Sequence, residues 1–206
     1  IYPVCSQVRG FITNQTKTQK EKDKAMSHTV CSMALITDID VLSRTLARIP
    51  GAKLGEMNPV SKDGTGAYHY IKIPGAYHNA YVQREADGTW RLKWDSDAAM
   101  LNKTFGKDGA LFMTMYAEEA SRKYAETTGD QMISTVLADG NLRIELVQAE
   151  GKKIVNIVDR TTGKMTISPE GYGGTACVEA TRPYEVTLGL REPVREPLPE
   201  MYQKND

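Results

Sequence analysis

Trp90, Leu92 and Trp94 alternate with Arg91 and Lys93, and Asp87-Gly88 stands just before them. Successive side chains of a strand point to opposite faces, so the run puts three large apolar groups on one side and two cations on the other. A strand of that kind needs one buried face and one wet face, which antiparallel sheets provide. Asp-Gly closes a tight hairpin because both turn positions tolerate positive φ. The same grammar returns at Asp139-Gly140-Asn141, which separates residues 132–137 from Leu142, Ile144 and Leu146, alternating with Arg143 and Glu145. Whatever the chain folds into must bury one face of both hairpins.

Residues 27–36 read as a strand with Val30, Met33, Leu35 and Ile36 as its apolar members. Thr37 and Asp38 offer capping oxygens, and Ile39, Leu42, Leu46 and Ile49 fall at helical spacing until Pro50-Gly51. Residues 55–66, rich in Gly, Asn, Pro and Ser, read as a loop. Strands are predicted over 68–73, 80–85 and 89–94. A long helix is predicted over 108–128, with Met113, Ala117, Ala120 and Tyr124 on one stripe, a Glu119–Lys123 pair across one turn, and Gly129 as C-cap.

After Glu150-Gly151 the pattern restarts: short strands over 154–158 and 165–168, a glycine-rich loop over 171–174, and a helix over 178–188. Pro183 must sit in the first turn of that helix, where its missing N–H costs nothing, or the helix starts later than residue 178. Residues 13–25 have too little apolar surface to offset their ordering entropy. The expected organisation is therefore an arm and linker over 1–25, a main domain over 26–150, a small ββα unit over 151–192 and a tail over 193–206 with Pro193, Pro197 and Pro199. The class is α+β, a mostly antiparallel sheet in the order β-α-β-β-β-α-β-β with helices on one face.

Met26-Ser27-His28, the helix from Asp38, the hairpin from Tyr81 to Trp94 and the Asp139-Gly140-Asn141-Leu142-Arg143-Ile144 hairpin resemble one known family over roughly residues 26–150. It is the family called hypothetical chloroplast reading frame thirty-five, or domain of unknown function twelve fifty-seven. Met165-Thr166-Ile167-Ser168-Pro169-Glu170-Gly171, then Gly173-Gly174-Thr175-Ala176-Cys177, Thr181 and Leu188-Gly189 resemble a second, domain of unknown function twenty-nine ninety-seven. Members of the second are often encoded beside the first and beside an AAA-type ATPase, which implies an adaptor of such an ATPase. Neither family carries an established activity, so the resemblance implies organisation and no catalytic residue.

Lysine plus arginine, 26, equals aspartate plus glutamate, 26, so no charge excess marks a nucleic-acid or membrane partner. Three cysteines far apart, Cys5, Cys31 and Cys177, argue against a disulfide framework and for a reducing compartment: the cytoplasm, or a virion if the chain is phage-encoded. His28, Cys31, His69 and His78 can supply imidazole and thiolate ligands for zinc, or they are a buried cysteine and ordinary polar histidines. Cys177, after the glycine loop and at a helix start, fits a nucleophile or redox switch, or a small buried hydrophobe. Gly173, Gly174 and Thr175 ahead of it offer backbone N–H groups to an anion. Asp95 and Asp97 suit either a divalent metal or strand termination, and Glu118 and Glu119 read as the wet face of the long helix.

Tyr68, Tyr70, Tyr77 and Tyr81 gather around one bend, where rigid, half-polar rings make either a contact surface or a core lining. With no acid, base and nucleophile set and no cofactor motif, the sequence favours a non-catalytic binding or assembly protein. Its partner would be another protein, as for an adaptor of an AAA-type ATPase, or further copies of the chain in a homo-oligomer, as for a self-assembling phage or filament component. The rival is a metal- or thiol-dependent enzyme or ligand binder using Cys177 or the His/Cys set.

Overall fold

The computed structural model describes residues 29–31, 35–59, 66–172 and 176–190. The arm, linker and proline-rich tail lie outside these residues, as do His28, Gly173, Gly174 and Thr175. The fold is α+β with antiparallel pairing throughout, and its strands divide between two sheets. In the first, β1 (Thr29–Cys31) pairs with β5 (Trp90–Asp95), followed in order by β4 (Ala80–Arg84), β3 (Tyr68–Lys72) and β2 (Lys53–Asn58). The second is a meander of β6 (Gln131–Val136), β7 (Leu142–Val147), β8 (Lys153–Val158) and β9 (Met165–Glu170).

Three elements depart from the sequence reading, two of them because tertiary partners outweigh local preference. Where a loop was expected, β2 forms against β3, and a register irregularity between Leu54 and Met57 absorbs the poor strand former Gly55. Helix α4 (Ala176–Thr187) runs straight through Pro183. Pro183 and Glu179, whose carbonyl loses its partner, both lie exposed, while Tyr184 and Leu188 are fully buried. Burying those two side chains is worth enough to offset the roughly 3 kcal/mol that an interior proline costs. A helix absent from the sequence reading, α2 (Ala99–Phe105), follows β5. Its Asn102 accepts from Trp94 Nε1 at 2.7 Å and donates to the Ser96 carbonyl at 2.6 Å.

The expected division at Gly151 falls inside the second sheet, since β7 and β8 pair from Leu142↔Val158 to Val147↔Lys153. One core runs through both sheets: Ile71, Val82, Leu92 and Trp94 of the first join Ile144, Leu146, Ile154 and Val158 of the second, with Tyr184 and Leu188 of α4. Between them lies α3 (Ala110–Thr128), which contacts α1 (Ile39–Ala47), α2, α4, β6 and β7. Its buried positions go well beyond one stripe, and Ala117, Ala120, Ser121 and Ala125 are small enough to admit neighbours closely. Asp38 caps α1 by accepting from the N–H groups of Asp40 at 2.8 Å and Val41 at 3.3 Å, a contribution of about 1 kcal/mol.

A second hydrogen-bonded joint closes the molecule. The Tyr116 hydroxyl on α3 accepts from the N–H of Thr37 at 2.9 Å and of Asp38 at 3.2 Å. Thr37 Oγ1, 3.2 Å from that hydroxyl, donates to the Thr187 carbonyl at 2.8 Å. The start of α1 is thereby tied to the end of α4. Among the described residues no helix is long and apolar enough to cross a membrane.

Candidate interaction surface

Strand parity sorts the four tyrosines. Ile71, Ala80, Val82, Leu92 and Trp94 turn to the core, so the opposite face of the first sheet carries Tyr68, Tyr70, Tyr81, Gln83, Arg91 and Lys93. Tyr70 lies opposite Tyr81 and Tyr68 opposite Gln83 in the β3–β4 register. Tyr68 meets Tyr70 edge-on at 4.9 Å between ring centroids and Tyr81 at 6.4 Å. The Tyr68 hydroxyl donates to that of Tyr70 at 3.4 Å, which holds the Tyr68 phenol above its ordinary pKa. All three rings are half-buried and none belongs to the core cluster. Lys93 Nζ donates to Gln83 Oε1 at 2.5 Å and Arg91 pairs with Glu85 at 3.2 Å, framing the rings with fixed polar groups.

Tyr77 is elsewhere. It sits in the turn between β3 and β4, 95% exposed, with its ring edge-on to His78 at 4.8 Å. Gly75, Tyr77, His78, Asp97 and Met100 line an open cleft of about 440 Å³ there. Asp97 itself donates its N–H to Asp95 Oδ1 at 2.9 Å, so this carboxylate pair turns the chain out of β5.

His69 and His78 stand at opposite ends of β3. His69 Nδ1 lies 3.0 Å from the Gly55 carbonyl, which can only accept, so Nδ1 carries the proton. Its ring packs on Trp90 at 5.1 Å. The imidazole thus satisfies a carbonyl freed by the irregularity in β2. Cys31 pairs with Lys93 through the backbone at the far edge of the same sheet. Among the described residues, no three His, Cys, Asp or Glu side chains are placed to hold a metal ion. Substituting His69 with alanine is expected to destabilise the fold by about 1–2 kcal/mol, read from the urea midpoint. Adding zinc to the parent protein should leave that midpoint unmoved; an upward shift would restore the metal reading.

Cys177 lies in the first turn of α4, buried, with its Sγ–H donating to the Tyr172 carbonyl at 3.5 Å. Tyr172 in turn donates to Gln148 Oε1 and carries Lys152 over its ring at 5.6 Å. The thiol is thus enclosed near the end of the second sheet, with its hydrogen engaged.

Glu118 and Glu119 are not a wet face. Arg48, at the end of α1, reaches Glu118 at 2.9 Å and Glu119 at 3.2 Å, and Ser134 Oγ donates to Glu118 at 2.9 Å. Lys123 pairs with Asp38 at 2.6 Å, and Glu119 with Arg48 and Arg122, in place of the expected Glu119–Lys123 pair. The reason is α1: it packs along that side of α3 and brings its own charges. Beside this network Arg160, Leu111, Met115, Val136 and Leu142 line a groove of about 490 Å³. Sequence spacing alone carried no sign of it, because it forms where α3, β6 and the turn after β8 meet.

The fold and its surfaces define an α+β protein of two antiparallel sheets sharing one core around α3. No family model, no curated protein and no solved structure matches the chain.

Proposed function

We propose that the protein is a non-catalytic binding protein whose contact surface is the tyrosine-bearing face of the first sheet. The observation that carries this reading is the contiguous set Tyr68, Tyr70 and Tyr81, stacked edge to edge outside the core and framed by Gln83–Lys93 and Arg91–Glu85. Tyrosines lose little rotamer freedom on binding, bury large areas and keep a hydroxyl for the rim, which is why they dominate binding hot spots. On a sheet their positions are fixed by the ladder, so the surface is preorganised. The partner is another protein. The resemblance of residues 151–192 to a family encoded beside AAA-type ATPases makes such an ATPase the first to try. The burial of Cys177 and its bond to Tyr172 support a packing role there over a reacting one.

A photo-crosslinking amino acid in place of Tyr70 tests this directly, with the same group at exposed Thr166 on the outer face of the second sheet as control. A discrete adduct is expected from position 70 and none from 166. The partner so caught should bind the Tyr70→Ala variant about tenfold more weakly, the effect of one interface aromatic of modest strength. Equal adducts at both positions, or unchanged affinity in a folded Tyr70→Ala protein, would discard the reading.

A further inference from the structure

We infer that β6 is the dimerisation edge of this protein, pairing antiparallel with β6 of a second copy to join two four-stranded sheets into one of eight strands. The four sheet edges among the described residues are β1, β2, β6 and β9. Free edges are normally blunted against pairing, by shortness, charge, proline or irregularity. Three of these follow that rule. β1 spans three residues, β2 carries Lys53, Glu56 and a register irregularity, and β9 carries Pro169 and Glu170. The fourth does not: Gln131, Met132, Ile133, Ser134, Thr135 and Val136 hold no charge, no proline and no glycine. Two large apolar side chains stand exposed on this one strand, Ile133 at 41% and Val136 at 58%.

The ladder shows which backbone groups are on offer. The N–H of Leu137 donates to the Asn141 carbonyl at 2.8 Å, so Leu137 faces β7. Backbone direction alternates along an antiparallel strand, which turns Thr135, Ile133 and Gln131 toward β7 and Val136, Ser134 and Met132 toward the open edge. Three N–H and three C=O groups thus line that edge at regular spacing.

The strand is complementary to itself. A twofold axis through Ser134 places Met132 opposite Val136 of the second copy and Ile133 opposite its Thr135, and uses all three outward residues on each side. A neutral strand meets a neutral strand, so no like charges face each other. Of the acids beside the strand, Glu118, which accepts from Ser134, is compensated by Arg48 at 2.9 Å, and Glu145, opposite Ile133, by Arg143 at 2.7 Å. Apolar-on-apolar contact would cover Val136 at the rim of the groove lined by Met115 and Leu142. One strand pair is a small interface, so a dissociation constant in the micromolar range or weaker is expected. This edge belongs to the second sheet and the tyrosine face to the first, so the two readings stand or fall separately.

Light-scattering mass of the full chain, from about 1 µM to on the order of 1 mM, should rise from one chain to two and stop there. Backbone amides of Met132, Ser134 and Val136 should become protected from exchange at the high end of that range. Ile133→Lys puts a charge at an exposed position of the pairing strand and should weaken the dimer by at least about tenfold in a folded protein. Thr135→Lys, also exposed, serves in its place if the first variant does not fold. A monomer across the range, growth beyond two chains, unprotected amides at 132, 134 and 136 in the dimer, or a dimer untouched in a folded lysine variant each overturns the inference.

Discussion

Gly189→Ala should destabilise the protein by about 3 kcal/mol or more, seen as a fall in melting temperature of about 6–12 °C for a chain of this size. Gly189 ends α4 with φ +74, and its N–H and that of Leu190 close the helix on the carbonyls of Val186 and Glu185, each at 3.0 Å. A left-handed residue of this kind costs an alanine about 1 kcal/mol by itself. The larger cost is contact. A Cβ at 189 would lie 2.2 Å from the Leu35 carbonyl oxygen and 3.0 Å from its carbon. Those are backbone atoms beside Ile36, which pairs with Trp90, and beside Thr37, which donates to Thr187. Neither side of the contact can yield without loosening the joint between the two ends of the core. Gly129 supplies the comparison: it caps α3 at φ +78, and a Cβ there meets nothing within 4 Å. Gly129→Ala should therefore show the conformational cost alone. Two variants equally destabilised would mean that the approach of α4 to Leu35 is loose in solution.

That joint marks the limit of what the residues disclose on their own. The hairpins at Asp87-Gly88 and Asp139-Gly140, the apolar face of Trp90, Leu92 and Trp94, and the long helix ending at Gly129 were legible because turn chemistry and side-chain period are local properties. Pairing partners are not. Nothing in Thr29 to Cys31 says that it lies against β5, nor that β6 to β9 form a sheet of their own. For the same reason Glu119 looked wet, since only the placement of α1 brings Arg48 to it. β2 looked like a loop, because Gly55 and Asn58 form strands only when a neighbour such as β3 offers a ladder. The residues alone gather Tyr68, Tyr70, Tyr77 and Tyr81 at one bend, whereas the sheet register puts Tyr68, Tyr70 and Tyr81 on one face and leaves Tyr77 in the turn. The open edge at β6 is purely a matter of strand order, and its sequence becomes informative only once that order is known.

Inside the core, Tyr184→Phe should cost about 2–3 kcal/mol although it removes a single oxygen. Tyr184, Ser121 and Asn156 are all fully buried, on α4, α3 and β8. Ser121 Oγ donates to the Ala117 carbonyl at 2.6 Å, so the Tyr184 hydroxyl, 2.6 Å away, donates to Ser121 and accepts from Asn156 Nδ2 at 3.2 Å. Asn156 Oδ1 already has no partner among the described residues. Without the phenol oxygen its whole amide is unsatisfied in an apolar setting, which is the costly side of hydrogen-bond energetics. Adding Asn156→Leu to Tyr184→Phe removes the orphan and should recover more than half of the loss; a double variant as unstable as the sum of the singles would place the cost in packing instead. The same hydroxyl gives an alkaline signature. Burial pushes the Tyr184 pKa up to about 12, against about 10 in an unfolded chain. The folded state therefore binds this proton more tightly, and the stability it contributes is complete below pH 10 and lost as pH rises toward 12. Tyr116, also raised by burial, adds a smaller slope in the same direction. Urea midpoints measured across that range should fall steeply in the parent and less steeply in Tyr184→Phe. Parallel curves would show that the phenol meets water before the fold opens.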